Sequence, residues 1–180
     1  MPNLRTTNRD PAFAAVDATL AALQMAIQTE IDGYNFYQRF AKQTGDANAR
    51  AMFERLARDE IMHLELLRNT KAMLEESGEW ARYEGLDLER VAGAPIFSRE
   101  RIRQNVVGYT SDLSALRVAY LIEKDATDFY TRAARETDDP NGRRMFSDLA
   151  RMEKDHLDLL EGEYDFLKGQ FQTAMGFAPF

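Results

Sequence analysis

The sequence of 180 residues contains no cysteine. This absence excludes disulfide bonds, thiolate zinc sites and iron-sulfur clusters. No run of apolar residues approaches the roughly 18 that a membrane-spanning helix needs. The first residues, MPNLRTTNRDP, lack the apolar centre of a signal peptide. We therefore expect a cytoplasmic protein with no membrane partner.

Basic residues are too few and too scattered for a nucleic-acid partner. Lys and Arg total 23 against 30 Asp and Glu, which gives a net charge of −7. No basic stretch is long enough to follow a phosphate backbone. Hydrophobic residues make up 44% of the chain, which is sufficient for one core, so we expect a single domain over residues 1–180.

Histidine is also rare, and both copies belong to an internal repeat. The stretch FERLARDEIMH at residues 53–63 returns as FSDLARMEKDH at residues 146–156, a shift of 93 residues that continues upstream without a gap. The chain is therefore predicted to be a duplicated helical pair. The same shift pairs Glu30 with Glu123, Tyr37 with Tyr130, Glu60 with Glu153, and His63 with His156.

Apolar residues at helical spacing predict an all-α fold, an antiparallel four-helix bundle built from two helix pairs joined by a long crossover. Four helices are expected at residues 17–44, 46–77, 112–137 and 143–168. The short turns QTGDAN and DDPNG separate the helices of each pair, and glycines interrupt the crossover and the tail. The predicted segments are a lead-in (1–16) with a short helical turn at Asp10 and Pro11, helix pair one (17–78), a crossover (79–111) with a short helix near 98–107, helix pair two (112–168), and a tail (169–180) docked on the bundle or an interface.

The spacing of the acidic residues and histidines predicts that they meet inside the bundle. A glutamate and a histidine three residues apart share one face of a helix. Counted from the turn at Asp46, Glu30 lies 16 residues back, whereas Glu60 and His63 lie 14 and 17 residues forward. At about 1.5 Å per residue, the three side chains have similar heights in the bundle.

Four carboxylates and two imidazoles on core-facing stripes would repel one another and would be costly to bury without a cation. Two divalent or trivalent ions resolve this conflict, and carboxylate with imidazole suits iron or manganese. A single Glu-x-x-His on a helix is commonly a surface feature, but two in register with two further inward glutamates favour a site. The predicted metal ligands are Glu30, Glu60, His63, Glu123, Glu153 and His156.

The stretches EIDGYNFY, DEIMH, EKDATDFY and EKDH, within residues 17–168, resemble the ferritin-like superfamily and, within it, the rubrerythrin-like group. The resemblance implies a ferritin-like di-iron centre. It implies that Glu60 and Glu153 bridge two iron ions, that Glu30 and Glu123 are terminal ligands, and that His63 and His156 each bind one ion. It further implies that Tyr37 and Tyr130 donate hydrogen bonds beside the metals, although packing alone also explains a tyrosine on a core stripe.

The sequence departs from rubrerythrins at two points. They carry an additional glutamate three residues after the ligand of the third helix, where this chain has Ala126. They also carry a rubredoxin-like domain with cysteine pairs, whereas this chain has no cysteine. The resemblance therefore implies an external electron donor protein.

Four aspartates adjoin the predicted ligands in sequence, but they point about 100° or more away from them around the helix. We expect them to lie on solvated faces or to form pairs between helices, and not to bind metal. They are Asp32, Asp59, Asp125 and Asp155.

Three functions are compatible with such a site. The first is an oxidoreductase that acts in oxidative stress and uses peroxide, oxygen or ferrous iron as its substrate. The second is iron storage or handling in a hollow assembly, and the third is a structural bundle that keeps its metal for stability. Manganese or zinc could fill the same site. A homodimer is expected, because bundles with apolar crossover segments commonly pair by two-fold symmetry.

Overall fold

A computed structural model describes residues 11–80, 82–83 and 106–176, and describes the side chains of residues 19–80, 82–83 and 112–176. These residues form four helices and no strand: α1 (Pro11–Gln43), α2 (Ala47–Ser77), α3 (Val106–Glu136) and α4 (Pro140–Ala174). The closest packing is between α1 and α2 and between α3 and α4. The predicted four-helix bundle is confirmed.

Each short turn ends in an aspartate that caps the following helix. Asp46 Oδ1 accepts hydrogen bonds from the backbone N–H groups of Asn48 (2.7 Å) and Ala49 (2.9 Å) at the start of α2. Asp139 does the same at the start of α4, where Pro140 occupies the first turn. Such caps satisfy N–H groups that have no partner inside the helix. At the other end of α2, Gly78 adopts a φ of 71° and closes the helix as predicted.

Three helices extend beyond their predicted ends. The predicted starts were wrong for three helices: α1 begins at residue 11 and not 17, α3 at 106 and not 111–112, and α4 at 140 and not 143. The predicted end of α4 at residue 168 was also wrong, because the helix continues to residue 174. Proline is well suited to a first helical turn, so Pro11 and Pro140 begin helices. Glycine inside a helix costs only about 1 kcal/mol, so Gly108 and Gly169 do not interrupt α3 and α4. The short helix expected near residues 98–107 falls largely outside the described residues.

The bundle contains two apolar layers, one towards each end, and each layer draws residues from all four helices. The layer near the α1–α2 turn includes Tyr37, Phe53, Leu116 and Leu160. The layer near the α3–α4 turn includes Leu23, Leu67, Tyr130 and Phe146. Buried glutamates and histidines lie between the two layers. The core is therefore polar at its centre and apolar on both sides.

After α2 the chain turns onto α4. The Trp80 ring meets Phe146 edge to face, with ring centroids 5.9 Å apart. A Cβ atom at Gly142 would lie 2.6 Å from Cζ2 of Trp80, so the absence of a side chain at Gly142 is what admits the indole. The Tyr83 hydroxyl donates a hydrogen bond to Asp148 (3.1 Å). These two crossover aromatics cover the bundle.

None of the helices in the described part of the chain combines the length and the apolar character needed to cross a membrane.

Candidate metal centre

The inward stripes of the four helices place all six predicted ligands in one buried layer. Helices α1 and α3 each contribute one glutamate, and α2 and α4 each contribute a Glu-x-x-His pair. Each of the six residues is at most 5% exposed. They are Glu30, Glu60, His63, Glu123, Glu153 and His156.

One half of the layer surrounds His63. Its Nδ1 atom lies 3.3 Å from Glu30 Oε2, 3.2 Å from Glu60 Oε2 and 3.0 Å from Glu153 Oε1. One ligand atom from each of these four residues lies within 4.8 Å of the others. Three oxygens and one nitrogen therefore converge on a space of the size of one metal ion.

The other half surrounds His156. Its Nδ1 atom lies 3.0 Å from Glu153 Oε2 and 3.6 Å from Glu123 Oε1. Here Glu60, Glu123, Glu153 and His156 form a second group with ligand atoms within 4.8 Å of one another. Glu60 and Glu153 belong to both groups. Two adjacent positions that share two carboxylates have the arrangement of a dinuclear metal centre.

Several ligand atoms in the layer have no hydrogen-bond partner although they are buried. They are Glu60 Oε2, both carboxylate oxygens of Glu153, and His156 Nδ1. Buried polar atoms without partners are costly, and metal coordination would satisfy them. The mixture of carboxylate and imidazole suits a divalent transition metal. The residues present thus fit two metal ions.

Gly33 makes room for one of the shared carboxylates. It lies on α1 and is buried, and a Cβ atom in its place would lie 3.1 Å from Glu60 Oε1. That separation is tighter than most contacts of a Cβ atom, so a side chain here would displace the carboxylate. The 93-residue shift places Ala126 at the corresponding position of α3.

Protons balance part of the negative charge in the metal-free protein. Burial lowers the pKa of His63, but the charge of Glu153 and the close carboxylate oxygens of Glu153, Glu30 and Glu60 raise that pKa well above its ordinary value. The pKa of His156 is also raised well above its ordinary value, because the effect of its contacts with Asp59, Glu123 and Glu153 exceeds the opposing effect of burial. Metal ions would replace these protons, since a histidine must be neutral to bind metal.

The pKa values of the buried glutamates shift in different directions. Burial, together with the charges of Glu153 and Glu30, raises the pKa of Glu60 well above its ordinary value. Burial and the charge of Glu153 likewise raise the pKa of Glu123 to about 7. Burial opposes ionisation of Glu153 as well, but its contacts with His63 and His156 lower its pKa below the ordinary value. Glu153 is therefore the carboxylate that stays ionised between the two histidines.

Two tyrosines connect the helix pairs through the centre. The Tyr37 hydroxyl on α1 donates a hydrogen bond to Glu123 on α3, and the Tyr130 hydroxyl on α3 donates one to Glu30 on α1. Burial, followed by the charge of the neighbouring glutamate, raises the pKa of each tyrosine well above its ordinary value. Both hydroxyls therefore remain neutral donors. Their rings also pack in the core, so each tyrosine both fills the core and donates a hydrogen bond to a glutamate.

Asp59 has a place in the site that the sequence did not single out. It is 6% exposed, and its Oδ2 atom lies 3.4 Å from His156 Nε2 across the helix pairs. The interpretation as an inter-helix pair is thus the correct one for Asp59, whereas the other three aspartates are exposed. A comparison of the two repeats could have drawn attention to Asp59, because the corresponding residue in the second repeat is Met152. The two repeats therefore differ in the residue directly before Glu60 and Glu153.

A four-helix bundle whose core holds one glutamate from each of two helices and Glu-x-x-His from each of the other two defines a ferritin-like carboxylate protein. Comparison with family models identifies the family, since the Rubrerythrin model matches residues 3–71 and 21–164. The chain belongs to the rubrerythrin family.

Among solved structures, the fold is similar to that of a hypothetical protein from Pyrococcus furiosus. The two chains are 24% identical, with a TM-score of 0.64 over 84% of this chain and 90% of the other. A comparison with curated proteins gave no match. The fold assignment therefore has structural support that is independent of the family model.

Proposed function

We propose that this protein is a non-haem di-iron oxidoreductase that reduces peroxide or oxidises ferrous iron. The observation that carries the proposal is the pair of four-residue groups that share Glu60 and Glu153. A carboxylate-bridged pair of iron ions supplies two electrons together to one substrate, which single ions do not.

In this proposal Glu30 and His63 would hold one ion, Glu123 and His156 would hold the other, and the shared Glu60 and Glu153 would contribute to both. Ala126 supplies no further carboxylate, so the protein ligand set stays at these six residues. They are Glu30, Glu60, His63, Glu123, Glu153 and His156.

The surrounding residues hold protons and exclude water. Tyr37 and Tyr130 keep their protons on the hydroxyl oxygens and orient Glu123 and Glu30. The apolar layers on either side of the centre separate it from both ends of the bundle. A water-poor surrounding strengthens each charge interaction in the site. Because the sequence has no cysteine-based redox centre, we propose that a separate protein supplies the electrons.

The proposal is tested with iron-loaded protein by measuring iron content and the rates of peroxide consumption and ferrous oxidation. The double variant Glu60→Ala, Glu153→Ala removes both shared carboxylates. The matched control, Glu54→Ala, Glu161→Ala, changes two exposed glutamates on the same helices. We expect wild type and control to bind two iron ions per chain and to turn over, and the double variant to react no faster than free iron.

Other outcomes separate the alternatives. Iron retained far beyond two ions per chain in a large closed assembly would favour storage. Loss of thermal stability on metal removal, without turnover in either assay, would favour a structural metal. The absence of turnover in both assays would overturn the oxidoreductase proposal.

A further inference from the structure

The single tryptophan of the chain is connected to the dinuclear centre by a series of aromatic rings. Trp80 meets Phe146 edge to face, with 5.9 Å between ring centroids, and Phe146 stacks on Tyr130 with 6.2 Å between centroids. The Tyr130 hydroxyl donates a hydrogen bond to Glu30, one of the predicted metal ligands. Three rings and one hydrogen bond thus join the centre to the end of the bundle at the α3–α4 turn.

The rings of this series differ in their exposure to solvent. Tyr130 and Phe146 are buried. Trp80 is partly exposed and lines a surface groove together with Gly78 and Thr137. A small molecule in solution can therefore reach the indole of Trp80 but not the two rings beneath it.

The equivalent tyrosine of the other helix pair has different neighbours. Tyr37 stacks on Phe53 with 6.1 Å between ring centroids, and Phe53 lies 6.0 Å from Phe40. The 93-residue shift places Thr173 at the position that corresponds to Trp80. Phenylalanine and threonine are far harder to oxidise than tryptophan. A radical formed on Tyr37 therefore has no readily oxidised side chain among these residues to move to.

The space for the indole also exists in only one half of the repeat. A Cβ atom at Gly142 would lie 2.6 Å from Cζ2 of Trp80, so the indole needs a glycine beneath it. The residue that corresponds to Gly142 in the first half is Ala49, which is fully buried and carries that Cβ atom. The duplicated fold therefore does not require a tryptophan here, and Trp80 is a property of one half alone.

We propose that Tyr130 and Trp80 carry a single oxidising equivalent from the dinuclear centre to the surface. This inference rests on the proposed reaction with peroxide, because cleavage of peroxide to two water molecules takes up two electrons and two protons. When iron supplies only one electron, Tyr130 supplies the second, and its hydroxyl proton moves along the hydrogen bond to Glu30. Without that second electron, cleavage of the O–O bond would release a hydroxyl radical.

Trp80 then reduces the oxidised Tyr130, and the proton returns from Glu30 to the Tyr130 hydroxyl. Phe146, which is much harder to oxidise than either ring, lies between them as a bridge and is not itself oxidised. The indole radical cation at the surface takes one electron from a small reductant of the ascorbate or thiol class. In sum, iron gives one electron, the reductant gives the other, solvent gives the protons of the two waters, and the protein is restored.

The route is tested first without iron, in protein whose dinuclear centre is filled with zinc. Azide radicals made by pulse radiolysis oxidise tryptophan faster than tyrosine at neutral pH, and Trp80 is the only tryptophan. All proteins carry Tyr83→Phe, because Tyr83 lies three residues from Trp80 and would compete. We expect the absorption of the indole radical to convert into that of a tyrosyl radical at a rate independent of protein concentration.

Tyr130→Phe should abolish this conversion, whereas Tyr37→Phe should leave its rate unchanged. The two variants are matched, because each removes a buried hydroxyl that donates to a glutamate of the centre. A general disturbance of the bundle would therefore affect both. The proposal is overturned if the starting protein shows no conversion, if conversion persists in Tyr130→Phe, or if both variants lose it equally.

The second measurement uses protein loaded with one ferrous ion per chain and treated with peroxide in the presence of a spin trap. We expect Trp80→Phe, which keeps a ring beside Phe146, to release more hydroxyl radical than wild type. Equal release from the two proteins would overturn the proposal although peroxide reacts. A failure of the iron-loaded protein to react with peroxide would instead overturn the proposed function, and with it this use of the route.

Discussion

At the scale of single residues, Asp59 makes the two histidines of the centre different. A carboxylate at one ring nitrogen of a histidine orients the ring and makes the other nitrogen a stronger metal ligand. His156 has such a partner at Nε2, whereas the repeat places Met152 in the position equivalent to Asp59. The two metal positions should therefore differ in affinity although their ligands are the same residue types.

Asp59→Asn is expected to weaken the binding of one metal ion and to leave the other largely unchanged. The expected loss is about 10-fold to 100-fold, the usual effect of removing a partner of a metal-bound histidine. Calorimetric titration of the metal-free protein with Co²⁺ would resolve the two binding steps. Asp155→Asn, which changes an exposed aspartate beside His156, serves as the control. Two unchanged affinities in Asp59→Asn would show that this contact does not position His156.

Tyr37→Phe and Tyr130→Phe are each expected to destabilise the metal-free protein by about 1.5–3 kcal/mol, because a buried carboxylate loses its hydrogen-bond donor. Urea denaturation followed by circular dichroism would measure the loss. The two values should be similar, since the tyrosines occupy equivalent positions of the repeat. Tyr164→Phe, a change at a partly buried residue in the groove between α3 and α4, is the control. A loss below about 0.5 kcal/mol in both variants would contradict a role beyond packing.

At the scale of the helix, Gly33 is a local weakness of α1 that serves the site. Glycine inside a helix costs about 1 kcal/mol relative to alanine. The structure explains its presence, because a Cβ atom at this position meets the Glu60 carboxylate. Helix stability and the geometry of the centre therefore make opposite demands on this residue.

Gly33→Ala is expected to act in opposite directions on the two forms of the protein. Without metal, Glu60 can shift, and the gain in helix propensity should stabilise the protein by up to about 1 kcal/mol. With metal bound, the carboxylate is held in place, so metal affinity should fall. Gly162→Ala provides the control, because nothing lies within 4 Å of a Cβ atom there, and it should stabilise both forms. Urea denaturation with and without zinc measures the free energy of unfolding of both variants. If Gly33→Ala and Gly162→Ala were equally stabilised in the zinc-bound form, a Cβ atom at residue 33 would not disturb the bound Glu60 carboxylate.

At the scale of the whole molecule, the buried layer couples stability to pH. A glutamate whose folded pKa is raised contributes stability below its ordinary pKa and loses that contribution as pH rises. For Glu123 the loss falls between about 4.5 and about 7. His63 and His156 also have raised pKa values, so their contribution is lost as pH rises through the folded pKa. Glu153 opposes this trend, but its contribution is lost only in acid.

The metal-free protein is therefore expected to lose stability between about pH 5 and about pH 8. The metal-loaded protein should show the reverse slope, because metal competes with protons for the same ligands. Thermal melting across this range, with and without zinc, measures both slopes. Parallel slopes in the two forms would mean that the six residues do not exchange protons for metal.

The four-helix bundle and the convergence of six residues at its centre could be predicted from the sequence. The prediction depends on helix periodicity and on the numbers of residues that separate Glu30, Glu60 and His63 from the turn at Asp46, both of which can be read from the sequence. The internal repeat gives the second helix pair the same spacing. The packing of the helices against one another was needed to show that Tyr37 reaches Glu123, that Asp59 reaches His156, and that the Glu163 carboxylate has no hydrogen-bond partner. Those facts depend on which side chains of other helices lie opposite, and burial and electrostatic environment arise from packed neighbours that spacing along one helix does not specify.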